Sequence, residues 1–497
     1  MAYQLEKQHL KEKYHAIERI KMLLDNNTFY EIGSGMIDYA SCSGNCEKAI
    51  PYDGVITGRG RIRNKTVFVF SQDFTVKGGT LGRRHGAKIA RIVQLAINAK
   101  APVIGIYDSG GARIDEGINA LAGCGEMLHI NTVASGIIPQ FSVVVGPCAG
   151  ASAYSPAITD FTFMVDKISY MFVTGSDVVR SVTGERCTNQ ELGGARVHGE
   201  KSGVAHKVFK NEKDCFRALR NLVEMLPSSY DCDQLTERTA YIAKQFQNTS
   251  LIPAESQKAY NMKSLINEII DDDSFFEIWD NFAVSIVVGF ARLSGITIGI
   301  VSNQPLEIGG SITCDSSDKA ARFIRFCDCF NIPIVTFVDT PGYLPGVDQE
   351  HSGIIRHGAK LLFAYSESSV PKITVVVRKA YGGAYIAMGS KHLGADYVYA
   401  LPTAEIAVMC AEGAVSIFYK KDLEKIVNNR EKEAFISRKI AEYKADYLNV
   451  KVAAQEGFVD EIIDQADIRK RVFDDIAALI NKTVSKTGMK KHKNIPL

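Results

Sequence analysis

The sequence predicts an α/β protein made of two copies of one unit, and three observations carry that reading. Short apolar, β-branched runs suited to buried strands alternate with helix-patterned segments, as in layered α/β folds. Elements recur at a nearly constant spacing: Pro102 and Pro333 lie 231 residues apart, Asp108 and Asp339 also 231, and Gly150 and Gly382 232. Each half also carries a glycine-containing turn between a buried strand and a helix. One follows residues 141–145 as Gly146-Pro147-Cys148-Ala149-Gly150-Ala151-Ser152-Ala153-Tyr154. The other follows residues 373–377 as Arg378-Lys379-Ala380-Tyr381-Gly382-Gly383-Ala384-Tyr385.

Along the first half, residues 1–25 read as a charged helical segment carrying Lys13, Glu18 and Arg19. Residues 54–60 and 66–70 read as a strand pair turning at Arg63-Asn64-Lys65. Gly78-Gly79-Thr80-Leu81-Gly82 opens a helix over 85–99, whose apolar residues Ile89, Ile92, Val93 and Ala96 recur at helical spacing. Residues 102–107 form the next strand, and Asp108-Ser109-Gly110-Gly111-Ala112-Arg113 leads into a helix through Met127. The uncharged run 130–159 is broken by Pro139, Pro147 and Pro156, so it reads as buried strands separated by turns rather than as a membrane span.

The second half repeats the series: strands at 288–292 and 297–301, a helix at 318–330, a strand at 332–338 and the turn Asp339-Thr340-Pro341-Gly342. Ile386-Ala387-Met388 reads as the start of a buried helix after the last turn. The polar stretch 245–250 before Pro253 marks the boundary, giving an N-terminal domain over 1–250 and a C-terminal domain over 251–497.

Composition narrows the function. With 46% hydrophobic and 23% charged residues and a formal charge of +2, nothing calls for nucleic acid or an anionic membrane as partner. Lys490, Lys491 and Lys493 read as a solvated tail. Eleven scattered cysteines, among them Cys327, Cys329 and Cys410 within strand and helix patterns, read as reduced, buried thiols. No targeting pattern is visible near the start, so a cytoplasmic setting is expected. Cys42 and Cys46 have no second pair at finger spacing, and no metal is expected.

Several motifs lack their context. Asp108-Ser109-Gly110-Gly111 ends a parallel-type strand, not a protease barrel strand. Gly150-Ala151-Ser152-Ala153-Tyr154 lacks the last glycine of a nucleophile elbow, and Gly58-Arg59-Gly60 lacks the third glycine of a dinucleotide loop. His85, His357 and His392 lie on helices, where structural roles are the rule. Two turns remain, each able to aim backbone N–H groups at one point, as a hole for a developing oxyanion requires.

The motifs Asp108-Ser109-Gly110-Gly111-Ala112-Arg113-Ile114, Gly146-Pro147-Cys148-Ala149-Gly150, Ser202-Gly203-Val204-Ala205-His206, Asp339-Thr340-Pro341-Gly342-Tyr343-Leu344-Pro345-Gly346 and Lys379-Ala380-Tyr381-Gly382-Gly383-Ala384-Tyr385 closely resemble the carboxyltransferase (β) subunits of biotin-dependent acyl-CoA carboxylases. The resemblance runs from about Glu18 to the C-terminus and is strongest to propionyl-CoA and acetyl-CoA carboxylases. It implies two crotonase-like ββα superhelix domains, a homohexamer, and an active site shared between the N half of one subunit and the C half of another. It implies transfer of a carboxyl group between carboxybiotin and the α-carbon of a short-chain acyl-CoA, with biotin itself as base.

By the same resemblance Gly150 and Ala151 serve the thioester oxyanion, and Gly382 and Gly383 serve biotin. Gly110, Gly111 and Ala112 bind acyl-CoA, and Tyr343, Tyr385 and Ile386 face biotin or set acyl specificity. Arg83, Arg84 and Lys88 are the candidate cations for the CoA phosphates. The chain has no Met-Lys-Met biotinylation motif and no ATP-binding loop, so biotin is expected on a carrier protein and biotin carboxylase on another subunit. Two alternatives stand beside this: the decarboxylase α subunit of a sodium-pumping complex acting on methylmalonyl-CoA or glutaconyl-CoA, and an inactive scaffold subunit.

Overall fold

The structure is a computed structural model of the 497-residue chain. It describes residues 8–10, 13–38, 51–232, 240–248, 250–479, 482 and 493–496. Cys42, Cys46, Lys490 and Lys491 lie outside the described residues. The chain forms two compact units, Met1–Cys232 with Trp279–Phe282, and Asp233–Ile278 with Ala283–Leu497.

In the first unit the principal helices are α1 (Ala16–Leu23), α2 (Arg83–Ala99), α3 (Ile118–Ala134), α4 (Ala151–Ile158), α5 (Ser176–Thr183) and α6 (Glu212–Met225). The sheet runs β1 (Tyr30–Glu31), β2 (Val55–Ile62), β3 (Lys65–Gln72), β4 (Val103–Ser109), β5 (Gln140–Ala149), β6 (Phe161–Val165), β8 (Lys207–Phe209), with β7 (Tyr170–Phe172) also on β5. β2 and β3 are an antiparallel hairpin, whereas β3 through β6 are parallel. Such parallel strands are covered on both faces, which is why they read as continuous apolar runs.

The second unit repeats this. Its strand order is β16 (Glu461–Ile462), β14 (Tyr397–Ala400), β13 (Lys372–Tyr381), β12 (Ile334–Thr340), β11 (Ile296–Asn303), β10 (Ile286–Leu293), β9 (Phe276–Ile278), with β15 (Glu405–Ala407) on β13. Its principal helices are α7 (Cys314–Cys329), α8 (Ile354–Glu367), α9 (Gly382–Ala387), α10 (Ala411–Phe418), α11 (Asn429–Tyr447) and α12 (Ile468–Ala478).

The duplication extends to irregularities. β4 slips register between Tyr107 and Ser109 on β5, and β12 slips between Val338 and Thr340 on β13. β5 pairs with β6 at Phe141–Val144 and then with β7 at Pro147–Ala149, and β13 changes neighbour in the same way, from β14 to β15. That change of neighbour carries the end of each strand out of the main sheet and presents the turn that follows.

Three readings need correction. Residues 130–159 are not strands separated by turns: they contain the end of α3, the single strand β5 and α4. Ile386 is not at a buried helix start. α9 begins at Gly382, Ile386 is 41% exposed near its end, and Met388 is its C-cap. Cys329, the last residue of α7, is exposed, and Cys410, the N-cap of α10, is half-buried, while Cys327 is buried. Arg19 on α1 is 1% exposed and pairs with buried carboxylates.

Candidate active site

Each unit builds its turn from the same parts. In the first, Gly79 (φ 62°) lies so close to the carbonyl of Asp108 that any Cβ would collide with it. Gly310 (φ 81°) stands likewise against Asp339. The Leu81 amide donates to the Gly111 carbonyl at 2.8 Å and the Ile312 amide to the Gly342 carbonyl at 3.0 Å. Gly110 donates to the Gly78 carbonyl at 2.9 Å, and Gly111 donates to Ser109 Oγ at 3.1 Å. A Cβ on Gly111 would sit 2.9 Å from the Ala149 carbonyl, so Gly110, Gly111 and Ala112 lie against the start of the first turn.

At the turns themselves, Gly150 has φ 60° and ψ −135°, and Gly382 has φ 56°. Side-chain-bearing residues rarely adopt that region, so glycine is required at both positions. Ala151 and Gly383, one residue on, are not among the positive-φ residues, so alanine stands at 151 without strain. Both begin or extend the first turn of a helix, whose N–H groups have no acceptor within the helix.

The first turn is tied down from its far side. Ser155 Oγ on α4 donates to Asn131 Oδ1 at 2.8 Å and lies 2.8 Å from the Tyr107 hydroxyl. Cys148 beside it is fully buried, and burial pushes its thiol up to about 12, which leaves it protonated and unreactive.

The second turn opens on a pocket of about 450 Å³ lined by Gly382, Gly383, Tyr385, Ile386, His392 and Phe458, with Ile406, Val408 and Val452 on its walls. A Cβ on Gly383 would only touch the Tyr343 ring, at 3.8 Å, so that face of the turn is open. Burial raises the Tyr343 phenol to about 12, and its hydroxyl reaches the Gly358 carbonyl at 3.5 Å. Among the described residues the buried Tyr385 hydroxyl has no hydrogen-bond partner. Thus Gly382, Gly383, Tyr343, Tyr385 and Ile386 come together.

Within the first unit, the cations of α2 are engaged by the protein itself. Lys88 is 3% exposed and donates to the carbonyls of Tyr52 (3.0 Å) and Val55 (2.6 Å). Burial lowers its ammonium to about 8. Lys319, its counterpart 231 residues on, donates to the Ala283 carbonyl, the counterpart of Tyr52, and both carbonyl residues have positive φ. A lysine repeated in both units to cap the same strained bend is a structural part, so its ammonium does not face solvent phosphates. Arg83 pairs with Glu126 at 3.0 Å, and Arg84 donates to the Ile37 carbonyl at 3.2 Å. His85 is fully buried between the Asp53 carbonyl and Gln72, and burial lowers it to about 3, which leaves it neutral.

Behind each turn lies a buried aspartate that sequence reasoning treated only as a turn residue. Asp108 binds Lys13 at 2.7 Å and Arg19 at 2.9 Å, and Arg19 also binds Glu212 at 2.7 Å. Asp339 binds Arg378 at 3.0 Å. Arg378 occupies the position of Gly146, where any Cβ would collide with Asp108. One unit therefore supplies its cation from β13, the strand that leads into its turn, and the other from α1 and the segment before it. The glycine in place of arginine was the available signal.

Comparison with known proteins agrees with this architecture. Residues 7–495 match the family model described as carboxyl transferase domain. The propionyl-CoA carboxylase carboxyltransferase subunit of Haloferax mediterranei is 48% identical over 494 residues, covering 99% of this chain and 95% of that one. The methylmalonyl-CoA decarboxylase subunit alpha of Veillonella parvula is 47% identical over 495 residues, covering 99% and 95%. The transcarboxylase 12S crystal structure, a hexamer with methylmalonyl-coenzyme A and methylmalonic acid bound, superposes with a TM-score of 0.94 at 42% identity, over 100% of this chain and 94% of that one.

Proposed function

This chain belongs to the carboxyl transferase family, with its crotonase-like fold, and from that premise we propose that it moves a carboxyl group between biotin and the α-carbon of a short-chain acyl-CoA. The observation that carries the reading is the pair of equivalent turns, one per unit, each led by a glycine at φ near 60° with helix amides behind it. Transfer of a carboxyl group from a ureido nitrogen of biotin to the α-carbon of a thioester would develop negative charge on the ureido oxygen and on the thioester oxygen, and two preorganised donor sets answer it. Whole-chain similarity to a propionyl-CoA carboxylase subunit supports propionyl-CoA or acetyl-CoA as the acceptor.

The two domains, 1–250 and 251–497, are each read as one carboxyltransferase half. Gly150 and Ala151 would hold the thioester oxygen, with Gly110, Gly111 and Ala112 beside the acyl-CoA. Gly382 and Gly383 would hold the ureido oxygen of biotin, which arrives on a carrier protein charged by a biotin carboxylase subunit. Carboxybiotin, when bound, supplies the carboxyl group and, after its release, a base for the α-proton. The pocket beside Gly383 fits that group: N–H donors at one end, the apolar walls Ile406, Val408 and Val452, and the unsatisfied Tyr385 hydroxyl. The chain's own residues need only bind, orient and exclude water.

Assembly as a homohexamer is part of the proposal, supported by the hexamer of transcarboxylase 12S. Val173, Val178 and Val182 in one unit, and Val408, Ile417 and Phe418 in the other, offer exposed apolar surface for it. The described residues contain no helix long and apolar enough to cross a membrane. Similarity to a methylmalonyl-CoA decarboxylase subunit keeps the reverse direction as a second reading.

Purification of the native complex separates the two. A biotin carboxylase and a carrier co-purifying with ATP-dependent carboxylation of propionyl-CoA support the first reading. A membrane partner with ATP-independent decarboxylation supports the second.

A further inference from the structure

The geometry points to Tyr381 and Glu405 as positioning residues that hold the second turn in register, an inference that rests on the catalytic reading of Gly382 and Gly383. A glycine at φ 56° is free to move unless its neighbours are fixed. In the first unit the fixing lies after the turn, where Ser155 binds both Asn131 and Tyr107. In the second unit the counterparts of those three residues are Ala387, Leu362 and Val338, which form no such bonds. α9 has only six residues, too few to hold itself. Beyond α9 the Thr374 hydroxyl donates to the Gly389 carbonyl at 2.6 Å, and a second anchor would hold the turn itself.

It stands before the turn. Tyr381 is the last residue of β13 and the N-cap of α9, and it is 5% exposed. Its hydroxyl donates to the Glu405 carboxylate, and Lys444 of α11 lies 3.7 Å from the other carboxylate oxygen. Burial and then Glu405 raise the phenol's pKa, which keeps it protonated as the donor. The Tyr381 ring packs with Ala411 and Leu448 in a small core apart from the main one, with Cys410, Ile440 and Tyr443 around it. No residue of α11 is itself buried, so this core is where that helix layer grips the strand. By strand register the first unit has Ala149 and Tyr170 in these places, without a carboxylate. The device belongs to the second turn alone.

The test uses the full-length protein with Tyr381→Phe, Glu405→Gln and both together, beside Gly382→Ala. Tyr381→Phe keeps the ring in its core and removes only the bond to Glu405. Each single change is expected to lower kcat for carboxyl transfer by roughly 10- to 100-fold, the scale of a small misplacement of reacting groups. KM for acyl-CoA, oligomeric state and Tm should hold, and the double variant should be no worse than either single within about twofold. Wild-type kcat in Tyr381→Phe, or losses that multiply in the double variant, overturns the inference. So does a loss of kcat that appears only together with a fall in Tm, which marks a merely structural contact. An inactive Gly382→Ala beside a fully active Tyr381→Phe leaves the catalytic reading standing and removes only the positioning pair. An active Gly382→Ala removes both.

Discussion

At the scale of single residues, the two turns distinguish glycines that are required from one that is not. Gly150 and Gly382 take φ of 60° and 56°, which a Cβ opposes, whereas Gly383 does not. Gly382→Ala is therefore expected to lower kcat by about 10²–10³-fold, the effect of losing one oxyanion donor. Gly383→Ala should stay within roughly tenfold of wild type, because its methyl only meets the Tyr343 ring at 3.8 Å and alanine already occupies the equivalent position 151. Steady-state kinetics on both variants check this, and the opposite ranking contradicts it. Ile386 lines the same pocket and is 41% exposed, and we propose that from its mouth it also touches the acyl chain that biotin meets. One methylene in an apolar pocket is worth about 1–3 kcal/mol, so acetyl-CoA and propionyl-CoA should be used within about two orders of magnitude of each other. Ile386→Asp should narrow that range, and an unchanged ratio in competition assays would place the pocket elsewhere. The glycines were legible because no other residue suits such a backbone. Lys13 and Arg19 were not, because they reach Asp108 from 95 and 89 residues away, a pairing that only the folded chain creates.

At the scale of elements, the strands were legible because each is a continuous apolar run, and the repeat because its spacing holds through strands, bulges and turns. Helix ends were less so: α9 starts at Gly382, not after it, since the glycine needed for the turn is also the first helical residue. Buried charges depend on partners in other elements. Arg19 on α1 bridges Asp108 of β4 and Glu212 of α6, and Arg19→Met should cost about 3–5 kcal/mol by leaving both carboxylates buried without their guanidinium. Chemical unfolding measures it, and a loss under about 1 kcal/mol contradicts it. On the other side, α12 sets Asp475 against the Tyr399 hydroxyl at 2.7 Å, and burial raises that carboxyl to about 6. A raised folded pKa contributes stability that is complete below about pH 4 and lost as pH climbs through 6. Asp475→Asn keeps an acceptor and removes the titration. Relative to wild type it should therefore gain about 1–2 kcal/mol between pH 5 and 7.5. Parallel stability curves for the two proteins would show that Asp475 ionises freely.

At the scale of the molecule, a duplicated chain with a turn in each half has a use for both, which argues against an idle scaffold. The exposed apolar residues Val178, Val182, Ile417 and Phe418 call for cover, so the purified protein is expected to sediment as a hexamer and to lose activity on dilution to monomer. An active monomer in the ultracentrifuge contradicts that assembly. The expected assembly rests on resemblance alone, because an apolar residue on an exposed helix face reads in sequence like one facing the core. The most direct measurement is turnover of methylmalonyl-CoA by the purified chain with and without free biotin, followed by product analysis. Biotin-dependent conversion to propionyl-CoA is expected, saturable in both substrates and slowed by about 10²–10³-fold in Gly382→Ala. Hexameric wild-type protein without biotin-dependent turnover, on this substrate and on malonyl-CoA, would contradict it.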